Sequence, residues 1–296
     1  MSSKIQPPLG PNSDSPIPES PIPNKLLTAL RVIVFLQCIG VAGRYWFAEF
    51  EIESDIYGLL FFEWSWPETI AQRIDDIGAI GCLVAGIVVL VPTLRLGWDR
   101  IRQLQRVAAG FVAAWMFSIA IAHMFRGGVF AELSLGEHVV RYAAPMALVI
   151  LLSVKKSTEP VRLWVTLLIL KMATAATFAV HGYKALKIHG PFADLVLLTD
   201  LNGANFGIGQ ATVEQILWII GIVDLIVAVL ILFPRMRAVA IYMVFWGMLT
   251  AASRMTALGV PAYPETLIRS ANWGCPLILA IAYQFSYKTS SDTLHK

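Results

Sequence analysis

Along this chain apolar residues gather in runs of about 16 to 20 positions, close to the roughly 20 that a helix needs to cross a hydrocarbon core ~30 Å thick. The runs predict spanning helices over about 27–45, 74–93, 107–124, 139–154, 161–181, 213–233, 238–256 and 271–287. An all-α, polytopic membrane fold of about eight helices follows, because lipid offers no partner for an exposed backbone group. Two connections, 46–73 and 182–212, are long. Each holds a stretch, Tyr57 to Trp66 and Phe192 to Leu198, apolar enough to lie along the interface and too short to span.

The polar positions between the runs set the orientation. Arg95, Arg100, Arg102 and Arg106, then Lys155, Lys156 and Arg162, then Arg235 and Arg237 occupy three short connections on one side. Acidic residues such as Glu49, Glu51, Glu53, Asp55, Glu137, Asp194, Asp200 and Glu265 occupy the other. Short basic loops stay in the cytoplasm, so a multi-pass cell-membrane protein with both termini cytoplasmic is expected. Residues 1–24, rich in Pro and Ser, have little to bury and read as a disordered cytoplasmic tail. The first run ends in Arg44-Tyr45-Trp46 rather than a small-residue cleavage site, so it reads as a retained helix.

Composition agrees and removes some functions. Hydrophobic residues make up 57% of the chain and charged ones 15%, a balance outside the soluble range. The net charge of +3 is scattered over helix ends rather than gathered into a phosphate-tracking patch, which argues against nucleic acid as a partner. Cys38, Cys82 and Cys275 lie singly in different runs, without metal-ligand or CxxC spacing, and read as packing residues; no metal site is expected.

The two halves resemble each other. Tyr45 falls on Tyr183, Gly81 on Gly221, and Pro92 and Arg95 on Pro234 and Arg237. One constant shift then places His123 on Arg254, Gly128 on Gly259, His138 on Arg269, Arg141 on Asn272, Tyr142 on Trp273 and Pro145 on Pro276. Hydrophobicity alone aligns many membrane helices, but it does not match prolines and outer-end polar residues. The expected organisation is the tail 1–24, a first four-helix repeat 25–157, a second 158–288 and a cytoplasmic tail 289–296. An even number of crossings per half makes the repeats parallel, with a cleft between them.

The run His181-Gly-Tyr-Lys-Ala-Leu-Lys-Ile-His-Gly-Pro-Phe-Ala-Asp, followed by Ala271-Asn-Trp-Gly-Cys-Pro-Leu, resembles the DoxX-like superfamily of small four-helix membrane proteins. The chain looks like a tandem duplication of that unit. The resemblance implies a place in quinone-linked redox chemistry and membrane redox complexes; it carries over no catalytic residue.

Ionisable residues inside the runs are costly and therefore informative. Lys171 and Asp224 lie near mid-depth on consecutive helices, while their counterparts Ile33 and Val84 are apolar, which predicts a buried ion pair. At the outer ends Arg44, His123, Arg141, His181, Arg254 and Arg269 are candidate ligand-binding residues. His123 facing Arg254, and Arg141 facing Asn272, would form a cationic vestibule for a quinone carbonyl or an organic anion. The plainer reading of each residue is snorkelling into the interface. Haem on His123, His138 and His181 lacks an axial-ligand motif. Three functions follow: binding quinone or anchoring a soluble redox partner, carrying a small organic anion, or scaffolding a membrane complex. No nucleophile with its base, and no phosphate-binding loop, marks an enzyme.

Overall fold

The computed structural model describes residues 24–47, 54–91, 98–153 and 159–294. The expected tail up to residue 23, the acidic Glu49, Glu51 and Glu53, and Pro92, Arg95, Lys155 and Lys156 lie outside them. The fold is all-α. Its helices are α1 (Asn24–Phe47), α2 (Asp55–Gly58), α3 (Glu68–Leu90), α4 (Trp98–Arg126), α5 (Ser134–Glu137) and α6 (Val139–Leu151). They continue as α7 (Glu159–Leu186), α8 (Gly190–Thr199), α9 (Gln210–Leu230), α10 (Arg237–Leu258), α11 (Tyr263–Ile268) and α12 (Ser270–Leu294).

Each predicted span falls on a helix; α1, α4, α7, α10 and α12 extend beyond their apolar runs at both ends, whereas α6 stops at Leu151 and α9 at Leu230, short of the ends expected. Among the described residues α1, α4, α7, α9 and α10 are long and apolar enough to cross a membrane. α6 has 13 residues and is only about 20 Å long, and α3 opens with Glu68, Arg73, Asp75 and Asp76. α12 continues to Leu294, so helix covers most of what reads in sequence as a terminal tail.

Side chains are distributed as lipid requires. Large apolar residues point outward, including Ile77, Ile80, Val84 and Ile87 on α3 and Phe245, Met248 and Leu249 on α10. Small ones fill the interior, such as Ala143, Ala144 and Ala147 on α6. Without a hydrophobic drive between helices in lipid, close approach of small residues supplies the packing. This is the architecture of a multi-pass membrane protein.

The order of elements runs twice. In each half a long helix is followed by a short helix ending in a π-turn (Leu59–Glu63; Asp200–Ala204) and then by two long helices. A 3-10 turn (Ala131–Leu133; Val260–Ala262), a short helix and a last helix complete the half. Gly128 and Gly259 both have positive φ, 110° and 85°. His138 and Arg269 both break the chain before the last helix, at φ/ψ of −99°/5° and −89°/6°.

Pro145 and Pro276 each lack the N–H that would bond the carbonyl four residues back. The freed Arg141 carbonyl accepts from Gln37 Nε2 at 3.0 Å. The freed Asn272 carbonyl lies against Gly247, where a side chain would come within 3.0 Å of it. The halves also exchange parts: α5 packs on α7, and α11 on α1.

The halves differ in how their two middle helices meet. α3 and α4 pack along their length, whereas α9 and α10 barely touch. Trp115 sits on Gly78 and Phe111 on Gly81, so closely that a Cβ on either glycine would fall 1.7 and 2.4 Å from the rings. The shift that aligns His123 with Arg254 also puts Phe111 and Trp115 on Tyr242 and Trp246. α9 turns Leu217, Ile220 and Asp224 toward the cavity beside Trp246, and among the described residues no glycine has Tyr242 or Trp246 as a nearest neighbour. Gly221 instead faces α7, against the Gly182 carbonyl, so Gly81 and Gly221 align in sequence without sharing a neighbour.

Candidate ligand cavity between α7, α8, α9 and α10

The gap between α9 and α10 is a cavity of about 340 Å³, in the range of small-molecule sites. Phe178 of α7, Phe192 and Val196 of α8, Leu217 and Ile220 of α9 and Leu249 of α10 give it an apolar body. α8 covers it, so Phe192 and its neighbours form a wall rather than only an interfacial stretch.

The turn after α8 is built to stay in place. Asp200 accepts the backbone N–H groups of Phe206 at 2.8 Å and Ile208 at 3.0 Å, and Asn202 Nδ2 donates to the Ala257 carbonyl of α10 at 2.7 Å. Those backbone donors hold the Asp200 carboxyl below the usual carboxylate range. Phe206 is 83% exposed and Leu249 61%, yet both line the cavity, so it opens onto the apolar outer surface.

Polar groups sit at chosen points of this apolar space. His181, Arg254, Arg269 and Asn272 line it. Arg254 Nη1 donates to the Thr250 carbonyl one turn back, which folds the guanidinium down along α10. Arg269 donates Nη1 to Glu265 Oε2 at 2.6 Å, and Arg44 lies 3.2 Å from the other oxygen of Glu265. Burial opposes ionisation of Glu265, but Arg269 and Arg44 outweigh it and bring the carboxyl down to about 2.

On the other side Lys184 Nζ reaches Glu137 Oε2 at 2.7 Å and His181 Nε2 lies 3.6 Å from Oε1. Burial opposes ionisation of Glu137 as well; His181, His138 and Lys184 hold its carboxyl far below the ordinary range. Glu137 and Glu265 each belong to one half and hold a cation on the first helix of the other. Sequence reading places both only as acidic loop residues. The signal that identifies them is position, on the short helix just before the last long one.

Asp224 is 4% exposed and lines the cavity. Trp246 is the hydrogen-bonding neighbour of its carboxylate, and Oδ1 has no partner. The Oδ1 of Asn272, at 7% exposure, has none either.

The expected Lys171–Asp224 pair does not form. Lys171 Nζ donates to the Leu232 and Phe233 carbonyls, at 3.0 and 3.2 Å, beyond the end of α9. A basic group there satisfies the carbonyls that a helix end leaves free. In the first half that task falls to Gln105, which reaches the Val91 carbonyl at 2.8 Å and is held by Arg31 at 2.8 Å. This accounts for the apolar Ile33 opposite Lys171.

Of the six candidate residues, the structure brings His181, Arg254 and Arg269 to one cavity, with Arg44 behind them through Glu265. Arg141, 8% exposed, is buried on α6 within electrostatic range of Arg269, Arg254 and Arg44. His123 is turned away: its Nδ1 lies 3.0 Å from Asp55 in the first half, so it does not face Arg254. Asn272 lines the cavity and Arg141 does not. Against the opposing pull of burial, His123, Arg44 and Arg126 hold the Asp55 carboxyl below the ordinary range. Among the described residues no group of three His, Cys, Asp or Glu is placed to hold a metal ion. No protein family, curated protein or solved structure matches this chain.

Proposed function

We propose that the protein is a tandem-repeat membrane protein that holds one small, membrane-soluble, oxygen-headed molecule of the quinone class in the α7–α10 cavity. It serves a quinone-linked redox system, as binding protein or as anchor for a redox partner. The reading includes eight crossing helices in two parallel four-helix repeats, cytoplasmic termini and kinship with the DoxX-like group. It is supported by the element order that runs twice and by the matched chain breaks at His138 and Arg269.

The observation that carries the ligand reading is an apolar cavity, open to the lipid-facing surface, whose rim carries Arg254, Arg269 and His181. Cationic donors in a water-poor site are strong partners for a carbonyl or phenolate oxygen. The test is solvent extraction of detergent-purified protein followed by mass spectrometry. Wild type is expected to carry quinone, and Arg254→Met to lose most of it. Protein free of quinone in both preparations overturns the reading.

A second reading, carriage of a small organic anion, is favoured by the local charges. Arg44, Arg141, Arg254 and Arg269 share Glu265 and Glu137, and Glu137 also meets Lys184, so cations exceed carboxylates. Substrate-dependent uptake into proteoliposomes distinguishes it.

A further inference from the structure

Two walls of the cavity ask for opposite things from its occupant. Arg254 and Arg269 offer donors and positive charge. Asp224 and Asn272 offer acceptor oxygens, Oδ1 in each, that are buried, unpartnered and without a donor in the protein. No ion pair joins the two sets across the space: Arg269 is held by Glu265, Arg254 by Thr250 and Ser253, and Lys171 is occupied beyond the end of α9. A buried acceptor with nothing to accept costs free energy, so an occupant that brings a donor removes that cost.

The first half supplies a comparison within the same chain. Val84, the sequence counterpart of Asp224, is 55% exposed and faces outward, and Trp115 and Phe111 close that cleft against Gly78 and Gly81. Val84 lies on the outward face of α3 and not in that cleft, whose α3 side is formed by Gly78 and Gly81, so the closed cleft leaves no room for an occupant.

We infer that the occupant is bipolar, with an anionic, carbonyl or phenolic oxygen held by Arg254 and Arg269 and a hydroxyl or ammonium donor held by Asp224 and Asn272, across an apolar middle. The inference rests on the proposed ligand reading and narrows it. Within the quinone class it selects the reduced, hydroxyl-bearing form over the oxidised form, which has no donor to offer. Asp224 is then the residue that sets specificity, and Arg254 the one that sets affinity for every oxygen-headed molecule.

Three probes that differ at one end isolate the donor: para-hydroxyphenylpropionate, its methyl ether, and phenylpropionate. All three carry the carboxylate and the apolar middle; the first alone donates at the far end. Binding to the full chain in lipid nanodiscs is read by calorimetry. The hydroxyl compound is expected to bind wild type at least about tenfold more tightly than the other two, since a site with buried polar groups discriminates against an analogue that leaves them unpaired.

Asp224→Leu is expected to abolish that preference while phenylpropionate binds as before or better. Arg254→Met is expected to weaken all three alike. Asn272→Ala, a milder change, should reduce the preference in part. Equal affinity of wild type for all three probes, with Arg254→Met weakening them, overturns the donor-recognising pole and leaves the oxygen-headed reading standing. Saturable binding of none of them removes the cationic pole too, and with it the proposed ligand reading.

Discussion

Replacing Lys184 with Met is expected to destabilise the protein more than any other single charge removal at the end of the bundle that holds Glu137 and Glu265. Lys184 is 3% exposed and its ammonium lies 2.7 Å from Glu137, on the element that joins the two halves. At that separation and an effective dielectric of about 20 the pair attracts by roughly 6 kcal/mol, before desolvation is subtracted. Breaking a buried pair by removing one partner leaves an uncompensated charge and costs about 3–5 kcal/mol. His181, 3.6 Å away, relieves part of this, so the lower half of that range is expected.

For a chain of this length such a loss lowers the melting temperature by on the order of 10 °C. The measurement is thermal unfolding in detergent, followed by intrinsic fluorescence. The double variant Lys184→Met/Glu137→Leu should recover at least half the loss, because removing both charges is far less costly than stranding one. The Glu137 carboxyl is held low in the folded protein, so its stabilising effect is present near neutral pH and is lost in acid. The gap between wild type and Lys184→Met should therefore narrow as pH falls. A single variant as stable as wild type, or a double variant no better than the single one, refutes the reasoning.

Three further outcomes follow from the packing and the charges. Gly78→Ala puts a methyl group 1.7 Å from the Trp115 ring and should cost about 1–3 kcal/mol, relieved by Trp115→Leu in the same chain; thermal unfolding checks both. Lys171→Met removes the group that satisfies the carbonyls beyond α9 and should cost about 1 kcal/mol, and its effect should add to that of Asp224→Asn; a coupling above about 1 kcal/mol in the double-mutant cycle would mean that the two residues interact after all. Glu265 titrates at about 2 in the folded protein against an ordinary 4.5, so it contributes about 3 kcal/mol above pH 4.5 that disappears as pH falls toward 2. Glu265→Gln should flatten that part of the pH–stability curve, and an unchanged curve would remove the Arg44–Glu265–Arg269 cluster as a stabilising unit.

The helices are legible because a membrane imposes one simple demand, a long apolar run: 161–181 sits inside α7, and 213–233 overlaps α9 and passes its end at Leu230 by three residues. Their ends were less so: α4 begins at Trp98 rather than near 107, since Arg100, Arg102 and Arg106 continue the helix without being apolar. Sequence depth placed Lys171 and Asp224 side by side but carries no information on which way each side chain points around its helix. Lys171 reaches the end of α9 and Asp224 a cavity. His123 and Arg254 matched in sequence, yet α2 sets Asp55 beside His123 and draws it away from the cavity.

The cavity itself was hidden, because it depends on an absence. Glycines seat Trp115 and Phe111 in the first half, and α9 has none facing Trp246 and Tyr242. His181, Arg254 and Arg269 stand out in sequence as charged residues at the ends of apolar runs, but so do Arg44, His123 and Arg141, and only the folded chain separates the three that line the cavity.

The α7–α10 cavity is proposed to hold one ligand per chain. Native mass spectrometry of the intact protein released from nanodiscs tests it directly, using wild type, Arg254→Met and a filled variant, Ser253→Phe. A single added mass is expected on wild type and on neither variant. A bare wild-type mass, or the same added mass retained by the filled variant, contradicts it.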